Sequence, residues 1–108
     1  MKISLFAGFA LTMISSVSYA DEWRSQAIEQ IKTAKVVIDA TFTQPSSLWV
    51  SVHDDGTRRD GLAESFCVDL FSAGMPVGSS VIITVWDAAA MAREDLVELG
   101  KYQCERTG

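Results

Sequence analysis

This chain of 108 residues has one histidine, two cysteines, two prolines and few basic residues, nine against fourteen acidic ones. Each shortage excludes something. A negative balance disfavours nucleic acid and anionic lipid as partners and, if anything, favours cationic ones. A single histidine with no C-x-x-C and no G-x-S-x-G leaves no recognisable catalytic set, and no cofactor is implied. No apolar run reaches the ~20 residues a spanning helix needs. Internal repeats, low-complexity tracts and linkers are absent too, so one domain is expected.

What is present begins with an address. Met1-Lys2 is followed by an apolar run from Ile3 to Ile14, broken only by Ser4, Gly8 and Thr12, and then by the small polar stretch Ser15 to Ala20. That is the charged, apolar and cleavage-site order of a secretory signal, with Ser18 and Ala20 fitting the small pockets of a signal peptidase. The expected cut falls between Ala20 and Asp21, making residues 1–20 a signal peptide and 21–108 a single small domain. No cysteine stands near the cut to carry a lipid, so no membrane attachment is expected after cleavage. The mature part holds eight basic and fourteen acidic residues, a formal charge of −6. The expected location is the periplasm, with secretion as the alternative, and both places permit disulfides. Cys67 and Cys104 allow only one intramolecular bond, and its loop of 37 steps stabilises by about 4 kcal/mol in the chain-entropy picture.

Trp23, Ala27, Ile31, Ala34 and Ile38 recur on one helical stripe, which predicts a first helix over about 22–38. Val36, Ile38, Ala40 and Phe42 also alternate as in a strand, so residues 36–42 stay open between the two. Thr43 to Ser47 reads as a loop. Leu48 to His53 alternates as a strand, closed by the turn Asp54-Asp55-Gly56. Thr57 and Asp60 resemble a capping box for a helix over 58–73 that carries Cys67 on its buried side and stops at Gly74. Val81 to Trp86 is the strongest strand, and strand, helix, strand makes a βαβ unit with parallel strands and a right-handed crossover. Asp87 is placed to cap a third helix over 88–99 ended by Gly100, before a short extended tail. The expected fold is a small two-layer sandwich, α+β or α/β, in the order α-β-α-β-α with a short final strand, a central βαβ unit and one disulfide.

Three groupings could carry chemistry. His53, Asp54, Asp55 and Asp60 could hold a divalent cation at the carboxyl end of a strand. Their spacing departs from a calcium loop, and Arg58 and Arg59 sit among them, so a glycine turn with paired charges is the plainer reading. The same two arginines could clamp a phosphate or carboxylate beside a helix start, against the opposition of the neighbouring acids. Ser51 and His53 could act as nucleophile and base in a small hydrolase, but residues two apart on a strand stand ~7 Å apart at Cα, too far for the hydrogen bond required.

A fourth grouping is a surface. If helices cover Leu48, Val50, Val52, Val81, Ile83 and Val85, the opposite face presents Trp49, Ser51, His53, Ile82, Thr84 and Trp86. Two tryptophans on one sheet face need either a covering helix or a partner. These observations lead to the expectation of an exported, non-enzymatic binding or accessory protein acting on another envelope or secreted protein, such as an inhibitor or immunity-type module. It would bind through Trp49, Ser51, His53, Trp86, Arg58 and Arg59, with a homodimer as a further option.

Overall fold

The computed structural model describes the backbone from residue 19 and side chains from Glu22 onward. Residues 1–18 of the expected signal segment therefore lie outside the described residues, and its last two, Tyr19 and Ala20, are helical. The element order is α1 (Tyr19–Ile31), β1 (Val37–Gln44), β2 (Ser47–Val52), α2 (Asp60–Ala73), β3 (Ser80–Asp87), α3 (Ala88–Ala92) and β4 (Glu98–Glu105). The four strands form one mixed sheet in the order β1-β2-β3-β4. β2 and β3 run parallel, as the intervening helix requires, and the two outer pairs are antiparallel. This is the expected small two-layer α+β domain with a central βαβ unit, its sheet one strand wider at the β1 edge.

One side of the sheet is the core. Leu48, Val50 and Val52 of β2 and Val81, Ile83 and Val85 of β3 are all buried. They cluster with Trp23, Ala27 and Ile31 of α1 and with Ala63, Phe66 and Leu70 of α2. Period-2 patterning in the strands meets period-3.6 stripes in the helices, the condition for a two-layer sandwich. Cys104 is fully buried in that cluster. It is bonded to Cys67 of α2 across a Cα separation of 5.5 Å, which fixes the last strand to the helix layer. The disulfide indicates a compartment outside the reducing cytoplasm. No helix among the described residues is long and apolar enough to cross a membrane.

The first helix ends at Ile31, seven residues short of the expected limit. Thr33 Oγ1 donates to the Gln30 carbonyl at 2.6 Å. The Thr33 and Ala34 amides donate to Gln30 and Ile31 in tight i→i−3 bonds that close the helix. The β-branched run Val36-Val37-Ile38 then enters β1, resolving residues 37–42 as strand. A register shift between Val37 and Asp39 reverses the expected alternation: Val37 turns toward the core and Ile38 is left 50% exposed. The expected loop over 43–47 shrinks to Pro45 and Ser46, because Gln44 already pairs with Ser47.

Other differences fall at helix ends. Thr57 does not cap α2, since its hydroxyl donates to Asp55 Oδ1 at 2.6 Å and the N-cap position is Arg59 without a side-chain bond. Gly74 does end α2 in the left-handed conformation at φ 105°, its amide bonding back to Leu70 and Phe71. Asp87 does cap α3, accepting from the Ala89 amide at 3.0 Å. That helix is only five residues long, because Arg93-Glu94-Asp95 offers no apolar stripe to bury and Glu94 takes a left-handed φ of 62°. Gly100 is therefore no helix stop: it lies within β4, which is a full eight-residue strand rather than a short tail.

Candidate functional site

Both long helices occupy the core side of the sheet, so among the described residues the opposite side lacks a helical layer. Only the short α3 reaches it, bringing Met91 over the β1–β2 end. The face presents Asp39, Thr41, Trp49, Ser51, Ile82, Thr84, Trp86, Lys101 and Gln103, the residues out of phase with the core positions. In the parallel register Trp49 stands opposite Thr84, and Ser51 opposite Trp86. The two indoles are thus diagonal neighbours, with centroids 4.9 Å apart and ring planes at 60°, an edge-to-face pair. Each is half-buried. Between them Thr84 is only 5% exposed, since the rings shelter the centre of the face. Trp86 Nε1 is buried with no hydrogen-bond partner among the described residues, at a cost of about 1–3 kcal/mol for an unmet donor.

Beside Trp49 lies a notch of about 40 Å³, lined by Asp39, Ala40, Thr41, Trp49, Ser51 and Met91. Asp39 Oδ1 accepts the Ala40 amide at 2.9 Å and pairs with Lys32 Nζ at 3.2 Å. The Ala40 amide first and Lys32 second hold the Asp39 carboxyl below its ordinary range, so it is an anion at neutral pH. Both contacts fall on the same oxygen. Ser51 Oγ donates to the Asp39 carbonyl at 3.5 Å rather than to His53. The serine and histidine expected as a nucleophile pair share no hydrogen bond among the described residues, and His53 lies just past the end of β2, exposed.

The polar turn between β2 and α2 pairs most of its charges locally, while Arg59 Nε is buried with no hydrogen-bond partner among the described residues. Asp54 Oδ1 accepts the Gly56 amide at 2.8 Å, and Asp55 Oδ1 accepts the Thr57 amide and hydroxyl. Arg58 forks onto both oxygens of Asp60 at 3.1 and 2.8 Å. Arg59 donates to the His53 carbonyl at 3.0 Å and stands 3.5 Å from Asp55. Thr57 lowers the Asp55 pKa, and Arg58 followed by the Lys101 amide lowers that of Asp60. Among the described residues no group of three or more His, Cys, Asp or Glu side chains is placed to hold a metal. The tetrad His53, Asp54, Asp55 and Asp60 is therefore not assembled, because each aspartate is spent on local backbone or arginine. Arg58 and Arg59 are likewise engaged by their own neighbours. The turn also ties two elements together. Asp60 Oδ1 accepts the Lys101 amide at 2.8 Å, and the Arg59 amide donates to the Leu99 carbonyl at 2.8 Å, locking the start of α2 onto β4.

Wider depressions lie elsewhere. One of about 360 Å³ runs between the start of α1 and the end of α2, along Glu22, Trp23, Gln26, Ala73, Gly74 and Pro76. Trp23 in its wall is a core residue, 5% exposed, edge-on to Phe42 at 6.0 Å and overlaid by the Arg24 guanidinium at 4.8 Å. No expected site residue lines it.

Of the residues expected to bind, Trp49, Ser51 and Trp86 are brought together, whereas His53, Arg58 and Arg59 belong to the turn. Asp39, Thr41 and Met91 were not expected at the site. For Asp39 and Thr41 the signal was the strand-like alternation of residues 36–42, which already sets them opposite Ala40 and Phe42; Met91 had none. Comparison with protein-family models, curated proteins and solved structures finds no match for this chain.

Proposed function

We propose that this is a non-enzymatic binding or accessory protein of the bacterial periplasm, or a secreted one, that acts on another envelope protein through the sheet face bearing Trp49 and Trp86. The observation that carries this reading is the tryptophan pair, edge-to-face at 4.9 Å on a sheet side that neither α1 nor α2 covers. Large aromatic side chains on such a face favour burial against a second surface, and tryptophan is enriched among the anchors of interface cores. Further support comes from the disulfide, which suits an oxidising compartment, and from the signal-like amino terminus. The acidic character of the domain suits a basic partner.

Single Trp49→Ala and Trp86→Ala variants test the reading by affinity capture from envelope extract. Each is expected to lose a discrete partner while keeping a cooperative unfolding transition. Capture unchanged from the parent protein in both variants would retire the proposal.

A further inference from the structure

We infer that the notch beside Trp49 is a receptor for the ammonium group of a lysine presented by the partner, with Asp39 as its counter-ion and the Trp49 indole as its wall. This rests on the reading that the tryptophan face docks a protein, and it specifies the chemistry of that partner. A primary ammonium needs an anion, further oxygen acceptors and a surface with negative π density. The residues that line the notch carry all three kinds: Asp39 with its carboxylate, the hydroxyl-bearing Thr41 and Ser51, and the aromatic Trp49. Met91 adds a soft, polarisable edge suited to the methylenes behind the charge.

Shape selects among cations. A guanidinium fork binds a carboxylate through both oxygens, and here Oδ1 already takes the Ala40 amide and Lys32. An ammonium is a compact point charge that needs only the remaining oxygen. Charge supports the choice as well. Among the described residues the Asp39 carboxylate meets Ala40 and Lys32, and both contacts are made at Oδ1, so Oδ2 retains its accepting capacity. Lys32 itself is half exposed and pairs with Asp39 at the solvent boundary, the kind of ion pair a better-placed cation displaces at little cost. A formal charge of −6 over the mature residues adds attraction for a basic surface.

The test uses N-acetyl-lysine methylamide, with the arginine and norleucine analogues as controls. The readout is the Trp49 indole N–H resonance, identified by its disappearance in Trp49→Phe. The lysine probe is expected to shift that resonance saturably at millimolar concentration, at least about fivefold more strongly than the arginine probe, and to lose its effect as added salt screens the pair. Norleucine is expected to do nothing. Asp39→Asn retains an oxygen for the Ala40 amide and removes only the charge, and it is expected to abolish the response. An equal response to norleucine or arginine, or an undiminished one in Asp39→Asn, overturns the inference. So does a Trp49 shift that develops on concentrating the protein alone, which assigns the notch to a second copy. If lysine is ignored while partner capture still depends on Trp49 and Trp86, the ammonium site falls and the docking face stands.

Discussion

Replacing Gly100 with alanine separates two roles that one glycine could play, helix stop or close contact. Gly100 is buried in β4 where the start of α2 crosses it. A Cβ added there would overlap the Arg59 carbonyl carbon and stand 2.6 Å from the Asp60 nitrogen. These are backbone atoms, so no rotamer change relieves the clash and the α2 start must lift from the strand. Forced overpacking costs about 1–3 kcal/mol. Lifting also strains the bond from the Arg59 amide to the Leu99 carbonyl, worth another ~1 kcal/mol. A loss of about 3 kcal/mol is expected, set against roughly 5–10 kcal/mol for a domain of this size. Urea unfolding followed by tryptophan fluorescence reads it as a lower midpoint at unchanged slope. Gly61 is the internal control: it lies in the first turn of α2, and a methyl group added to it would meet nothing within 4 Å, so Gly61→Ala is expected to stabilise by about 0.4–1 kcal/mol. A Gly100→Ala loss under about 0.5 kcal/mol, or a Gly61→Ala loss as large as that of Gly100→Ala, would refute the reasoning.

Further outcomes follow from the same contacts. The protein purified without reductant is expected to show no free thiol and a mass two units below the dithiol form, and Cys67→Ala/Cys104→Ala is expected to cost about 4 kcal/mol in urea unfolding. Asp39, Asp55 and Asp60 all have depressed pKa values in the folded state. Their contribution is therefore fully present above the unfolded carboxylate value near ~3.9 and is lost as pH falls through their folded values, which a series of unfolding midpoints from pH 7 to 2 reads directly. Asp69 has the opposite sign, because burial raises its pKa. Its charge opposes folding at neutral pH, so Asp69→Asn is expected to raise the midpoint at pH 7 and to make no difference near pH 3.

The central βαβ unit was legible because its signals are local and mutually consistent. Alternation in 48–53 and 81–86, the glycine at 74 and the Asp87 cap each depend on neighbours within a few residues. The tryptophan face followed from them, since parallel pairing of two alternating strands places Trp49 and Trp86 on one side whatever the remaining chain does. The first strand was harder to read: one residue of bulge between Val37 and Asp39 shifts the phase and exposes Ile38 where the regular pattern buries it. The third helix was overestimated because a good cap and three alanines start a helix but cannot extend it through Arg93-Glu94-Asp95. The Asp54–Asp60 turn read as possible chemistry because sequence gives the acids and arginines without saying that each is consumed by its neighbour. Gly100 was misassigned because its requirement arises from the distant backbone at Arg59, a tertiary contact with no local trace. The notch beside Trp49 needs the β1–β2 hairpin and α3 at once, which no single segment announces.

Whether the open sheet face meets another protein is tested most directly by cross-linking in intact cells. A photo-reactive phenylalanine analogue placed at Ile82, on that face two residues before Thr84, is compared with the same analogue at Ser72, exposed on the helix layer. A discrete adduct from position 82 that is absent from position 72 and lost on adding Trp49→Ala is the predicted result. No adduct from position 82, or the same adducts from both positions, would contradict the account.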